Sequence, residues 1–105
     1  MVKELETLEE FNEAIQSDKV TVVDFTASWC PPCQMIGPEF EEMSEDAANG
    51  NLIFFKVDVD VNDEAAGEAG IQAMPSFIFY QNGEKIDEVV GANIDSVREK
   101  IEKLR

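Results

Sequence analysis

Apolar and polar positions alternate along this chain with periods that change from segment to segment. Val2–Leu5 reads as a short, weak strand. Thr7-Leu8-Glu9-Glu10 then matches a capping box, and Leu8, Phe11 and Ile15 follow at helical spacing. Val20–Thr26 (VTVVDFT) is a β-branched, nearly unbroken apolar run, the pattern of a strand buried on both faces. After Cys30, Ile36, Phe40, Met43 and Ala47 mark one face of a helix expected to stop near Asn49-Gly50. Leu52–Val59 (LIFFKVDV) predicts a second buried strand, and Asp63–Ala69 a short helix. Ser76–Tyr80 and Lys85–Val90 flank Gln81-Asn82-Gly83-Glu84, which predicts an antiparallel hairpin with an Asn-Gly turn. Asn93 is placed to cap a last helix carrying Ile94, Val97, Ile101 and Leu104 on one face.

The order βαβαβαββα predicts an α/β fold: a central mixed five-stranded sheet flanked by four helices. Helices between strands demand parallel pairing with right-handed crossovers, and the hairpin adds antiparallel strands. No linker, repeat or low-complexity tract interrupts residues 1–105, so a single domain is expected, and the length suits one.

Composition narrows the chemistry. Hydrophobic residues form 44% of the chain, enough for a core, while the formal net charge is −15. That charge repels nucleic acid and anionic membranes and disfavours self-association, so a monomer is expected. It is unevenly spread: residues 98–105 carry four of the eight basic residues. Five acids fall in Glu39–Asp46, where a solvated helix face is the plain reading, and five between Asp58 and Glu68. Asp58, Asp60 and Asp63 lie at or just past the end of the Leu52–Val59 strand and predict an acidic rim. Without histidine, no Ser-His or Cys-His nucleophile is available. The first residues are charged, without the apolar segment of a secretory signal, so a reducing cytoplasmic location is expected.

The two cysteines stand in Trp29-Cys30-Pro31-Pro32-Cys33, just beyond a buried strand and at the opening of a helix. The carboxyl ends of strands are where α/β sheets place their chemistry. A helix N-terminus also favours a thiolate through its unpaired N–H groups and positive dipole end. Cys30 falls at the N-cap; Pro31 and Pro32 have no N–H, so Cys33 supplies the first backbone donor to its sulfur. Reversible thiol–disulfide exchange is the favoured reading. Three others stay open: a zinc site shared between two chains, a structural disulfide, and a pair of inert thiols. Two thiolates without His make half a metal site, and a ring this small removes little chain entropy.

Asp24 interrupts the apolar Val20–Thr26 run, so desolvation is expected to raise its pKa into a range useful for proton exchange. A buried Asp satisfied by backbone or by Lys56, with no catalytic part, is the competing reading.

The stretch Ala27-Ser28-Trp29-Cys30-Pro31-Pro32-Cys33-Gln34-Met35-Ile36 resembles the active-site segment of the thioredoxin family. The resemblance extends through Val22-Val23-Asp24-Phe25, Lys56-Val57-Asp58-Val59-Asp60, Met74-Pro75-Ser76-Phe77 and Asn82-Gly83 to Gly91-Ala92. It implies the thioredoxin fold and a reversible Cys30–Cys33 disulfide that reduces protein disulfides. Cys30 becomes the exposed attacking thiolate and Cys33 the more buried resolving thiol. Asp24 becomes the proton acceptor and donor for Cys33, tuned by Lys56. Trp29, Pro31, Pro32, Met74, Pro75, Gly91 and Ala92 become the client-binding surface, with Pro75 cis. The resemblance also implies disulfide-bearing client proteins, an NADPH-dependent flavoprotein reductase as electron donor, and no bound cofactor.

Three departures stand out. Pro31 occupies the usual Gly position, giving CPPC for CGPC, and Gln34 replaces the usual Lys. Asn62, Ala69 and Ala73 occupy regions where vertebrate members carry further cysteines. Two rival functions use the same fold. A disulfide oxidase or isomerase usually has His between its cysteines. A non-catalytic binding module needs the Pro75 groove but not Cys30, Cys33 and Asp24 together.

Overall fold

The structure, a computed structural model, describes residues 2–105. Five strands, β1 (Lys3–Glu4), β2 (Val20–Thr26), β3 (Leu52–Asp58), β4 (Ser76–Gln81) and β5 (Glu84–Val90), form one sheet in the order β1-β3-β2-β4-β5. β1 and β2 run parallel to β3, whereas β4 is antiparallel to both β2 and β5. Four helices, α1 (Leu8–Ala14), α2 (Pro31–Glu45), α3 (Asp63–Ala69) and α4 (Ile94–Leu104), complete the α/β architecture.

The two faces of the sheet carry separate cores. Val22, Leu52, Phe54, Phe77 and Phe79 pack with Ile36, Phe40 and Met43 of α2 and Val97 and Ile101 of α4. Val23, Phe25, Val57, Ile78 and Tyr80 pack with Phe11 of α1 and Ala65 of α3. Central β2 contributes to both, which explains why its sequence does not alternate. β3 is less fully buried than β2, with Ile53, Phe55, Lys56 and Asp58 at least partly open.

The N-terminal strand contracts from the expected Val2–Leu5 to two residues. Thr7 caps α1 as predicted: its side chain accepts a hydrogen bond from the Glu10 N–H. The second helix ends earlier than expected, at Glu45 rather than near Asn49. Asp46 adopts an extended backbone and its carboxylate accepts from the Ala48 N–H, opening a separate 3-10 turn at Ala47–Asn49. Ala47 is consequently exposed, and the buried stripe ends at Met43. At the hairpin, Asn82 and Gly83 both have positive φ, the conformation of a two-residue turn matched to the twist of its strands.

Candidate active site

β2 ends at Thr26, and the chain turns through Ala27–Trp29 into α2. Cys30 takes the N-cap with an extended backbone, and its Sγ accepts a 3.3 Å hydrogen bond from the Cys33 N–H. Pro31 and Pro32 fill the first two helical positions, where a missing N–H costs nothing. The helix therefore starts at Pro31, two residues before Cys33. Cys30 and Cys33 form a disulfide. Ala27 packs with the pair, and Val59 and Met74 cover it.

Cys30, expected to be exposed, is only 5% accessible, against 2% for Cys33. Val59 and Met74, from segments distant in the chain, pack against the pair and close over it. Trp29, adjacent to Cys30 in the chain, is 63% exposed, and its Nε1–H donates a 2.7 Å hydrogen bond to Asp60 Oδ2. Met74-Pro75 is a cis peptide, and the Gly91 N–H donates to the Pro75 carbonyl at 2.8 Å. That bond joins the β5 exit, where Ala92 is exposed, to the loop carrying Met74.

Asp24 lies on the sheet face covered by α2. It is 3% accessible, and its Oδ1 has no hydrogen-bond partner. Desolvation raises its pKa to about 7, opposed by the positive charge of Lys56. Lys56 is the parallel-sheet neighbour of Asp24, and its side chain is exposed. A cleft of about 340 Å³ is lined by Asp24, Cys33, Gly37, Pro38, Glu41 and Lys56, among others. It brings Asp24 and Cys33 to one open cleft, and Pro38 supplies no N–H to the Gln34 carbonyl on that wall.

The acidic rim is only partly gathered. Asp58 closes β3 and its Oδ1 accepts from the Asp60 N–H, while Asp60 reaches Trp29. Asp63 opens α3 and is exposed, outside the hydrogen bonds that join Asp58, Asp60 and Trp29. Three site features escaped the sequence reading. Glu41, taken as part of a solvated acidic face, lines the Asp24 cleft and accepts from the Val2 N–H at 2.9 Å. Gln34 Nε2 donates to the Ala27 carbonyl at 2.9 Å, tying the first turn of α2 to the preceding loop. Met35 is 79% exposed beside the motif. Its position one residue before the Ile36–Phe40–Met43 stripe was the available signal.

Among the described residues, no cluster of three or more metal-capable side chains occurs, and no helix is long and apolar enough to cross a membrane. The site presents two sulfurs that can open and close a bond, with the buried Asp24 on the cleft that Cys33 also lines.

Known proteins share this fold. The thioredoxin family model matches residues 2–103. Thioredoxin-1 of Schizosaccharomyces pombe is 52% identical over 93 residues, covering 89% of this chain and 88% of the relative. The thioredoxin of Geodia cydonium is 50% identical over 106 residues, covering 98% of each. The crystal structure of Malassezia sympodialis thioredoxin superposes with a TM-score of 0.95 at 44% identity, covering 99% of this chain and 90% of that one. With its CPPC disulfide at the head of α2, this thiol–disulfide oxidoreductase belongs to the thioredoxin family.

Proposed function

We propose that the chain is a dithiol electron carrier that reduces disulfides in client proteins and is recharged by an NADPH-dependent thioredoxin reductase. The observation that carries the reading is the Cys30–Cys33 disulfide at a helix N-terminus with the buried Asp24 facing the same cleft as Cys33.

The steps follow from that geometry. Cys30 thiolate attacks a client disulfide; a Cys30–client bond forms, the client bond breaks, and the released client thiolate takes up a proton. Cys33 passes its proton to Asp24 by way of the cleft and attacks the Cys30 sulfur. The Cys30–Cys33 bond forms, the mixed disulfide breaks, and the second client thiolate is protonated. Two electrons have passed to the client, and the reductase restores the dithiol. Asp24 suits this task because a group titrating near neutrality can both take and return a proton.

Carrying net charge −15, the protein must keep Cys30 anionic against its own negative field. The Cys33 N–H and the remaining helix N-terminal dipole favour the anion, and so does the Cys33 S–H once the disulfide opens. Trp29, Pro31, Pro32, Met74, Pro75, Gly91 and Ala92 surround the motif as the client contact surface. No bound cofactor is required, since the electrons reside in the two sulfurs. The reading implies a reducing cytoplasm and a working monomer. Asp58, Asp60 and Asp63 favour basic clients and slow attack on acidic ones, an effect that salt weakens.

Insulin reduction by dithiothreitol, with and without the protein, tests the carrier function. Acceleration lost in Cys30→Ser supports it, and no acceleration by the wild type contradicts it. NADPH consumption with a thioredoxin reductase tests the recharging step. Equilibration with glutathione separates a reductant from an oxidase, because thioredoxins sit well on the reducing side of the glutathione couple.

A further inference from the structure

The seam between α2 and α4 contains two openings of different electrical character. The one remote from the disulfide brings Glu42, Asp46 and Glu102 together with Arg98 and Arg105. Acid and base offset one another there. The opening beside the disulfide, about 200 Å³, is lined by Pro32, Met35, Ile36, Glu39, Ala92 and Ile94. No base lines it, and Glu39 has no salt-bridge partner among the described residues. The residue after Ile94 on α4 is Asp95, a further acid.

We propose that this groove is a docking subsite for the client polypeptide. It receives an apolar side chain flanking the target disulfide and selects for a neighbouring lysine or arginine, with Glu39 as the specificity-determining residue. The inference rests on the client-reduction reading and specifies which clients are favoured.

Continuity with the redox site identifies the occupant. Pro32 lies inside the CPPC ring, and Ala92 follows Gly91, whose N–H is bonded to the Pro75 carbonyl. A polypeptide whose sulfur is held at Cys30 therefore runs beside this opening. Met35, 79% exposed, offers a flexible, polarizable wall that adapts to different aliphatic side chains. Charge complementarity then selects the neighbour. An uncompensated carboxylate on the rim attracts a cation and repels an acid, and such rim charges act on specificity and association rate more than on total affinity. Glu42, one turn further along the seam from the disulfide, shares its opening with Arg98 and Arg105 and has no such preference to express.

The test uses three disulfide peptides that are identical except for lysine, glutamine or glutamate beside a leucine flanking the cysteine. Their reduction is measured as kcat/KM at low and high salt for the wild type, Glu39→Gln, Glu39→Lys and Glu42→Gln. The wild type is expected to prefer the lysine peptide over the glutamate peptide by about two- to fivefold at low salt, the scale of one exposed charge pair. High salt should shrink that ratio. Glu39→Gln should lower it, Glu39→Lys should lower it further towards the preference that Asp58, Asp60 and Asp63 leave, and Glu42→Gln should preserve it. A fourth peptide with glycine for the leucine should react more slowly in every protein. Brisk reduction of all peptides with a lysine-to-glutamate ratio unmoved by Glu39→Lys overturns the subsite and leaves the carrier reading intact. Failure of the wild type to reduce any of them overturns the carrier reading itself.

Discussion

The indole N–H of Trp29 is bonded to the Asp60 carboxylate at 2.7 Å, which ties the residue preceding the reactive pair to the loop that follows β3. Asp60 therefore tethers the indole of the residue next to Cys30 as well as adding charge nearby.

Removing that acceptor should loosen the indole. Asp60→Ala is expected to cost about 0.5–1.5 kcal/mol of stability, the net scale of one hydrogen bond. Trp29 is the only tryptophan, so its fluorescence reports on this contact without ambiguity. Its anisotropy should fall in the variant; an unchanged anisotropy contradicts the tether.

Asp24 should make the protein less stable as pH rises. Its ordinary value is 3.8 and burial raises it to about 7. Between those values the folded state holds a proton that the unfolded chain has released, so stability falls with rising pH across that window. Above it the cost is on the order of 4 kcal/mol. Asp24→Asn is expected to stabilise the fold by a comparable amount at about pH 8 and by little at about pH 4. The same variant should slow release of the mixed disulfide. Urea denaturation at the two pH values checks the first statement and single-turnover kinetics the second.

Lys56 opposes the upward shift of Asp24. Lys56→Met should raise the pKa of Asp24 further, leaving less carboxylate to accept the Cys33 proton at neutrality. The pH profile of the resolving step should move to the alkaline side. Titration of the Asp24 carboxyl carbon by NMR checks the cause directly; a downward or absent shift contradicts it.

Gly91 adopts φ +98°, a conformation that side-chain-bearing residues rarely take, while its N–H is bonded to the Pro75 carbonyl. Nothing stands in the way of an added Cβ, so backbone strain alone should set the effect of Gly91→Ala. About 1–3 kcal/mol of destabilisation is expected in denaturant titration. Reduction of protein clients should also slow, because the Gly91–Pro75 contact shapes the surface beside the motif.

The parts of the fold legible in the sequence are those governed by periodicity over several residues. Val20–Thr26 reads as a buried central strand because both its faces meet a core, and Asn82-Gly83 reads as a hairpin turn because few other residues accept that backbone. The end of α2 is not legible: Ala47 keeps the apolar spacing, but the Asp46 carboxylate captures the Ala48 N–H and starts a separate turn. At the site, the spacing of Cys30 and Cys33 and the polar interruption at Asp24 are visible as local anomalies. The burial of Cys30, the placement of Glu41 in the Asp24 cleft and the open Met35–Glu39 groove arise from packing between distant segments. No local pattern encodes them.

Trapping the mixed disulfide tests the central claim most directly. Cys33→Ser, reduced and mixed with a disulfide-bearing protein, should accumulate a covalent adduct joined through Cys30, identified by peptide mass. Cys30→Ser should form none, and the wild type should pass through the adduct and release a reduced client. An adduct joined through Cys33, or client reduction that survives Cys30→Ser, would contradict the account.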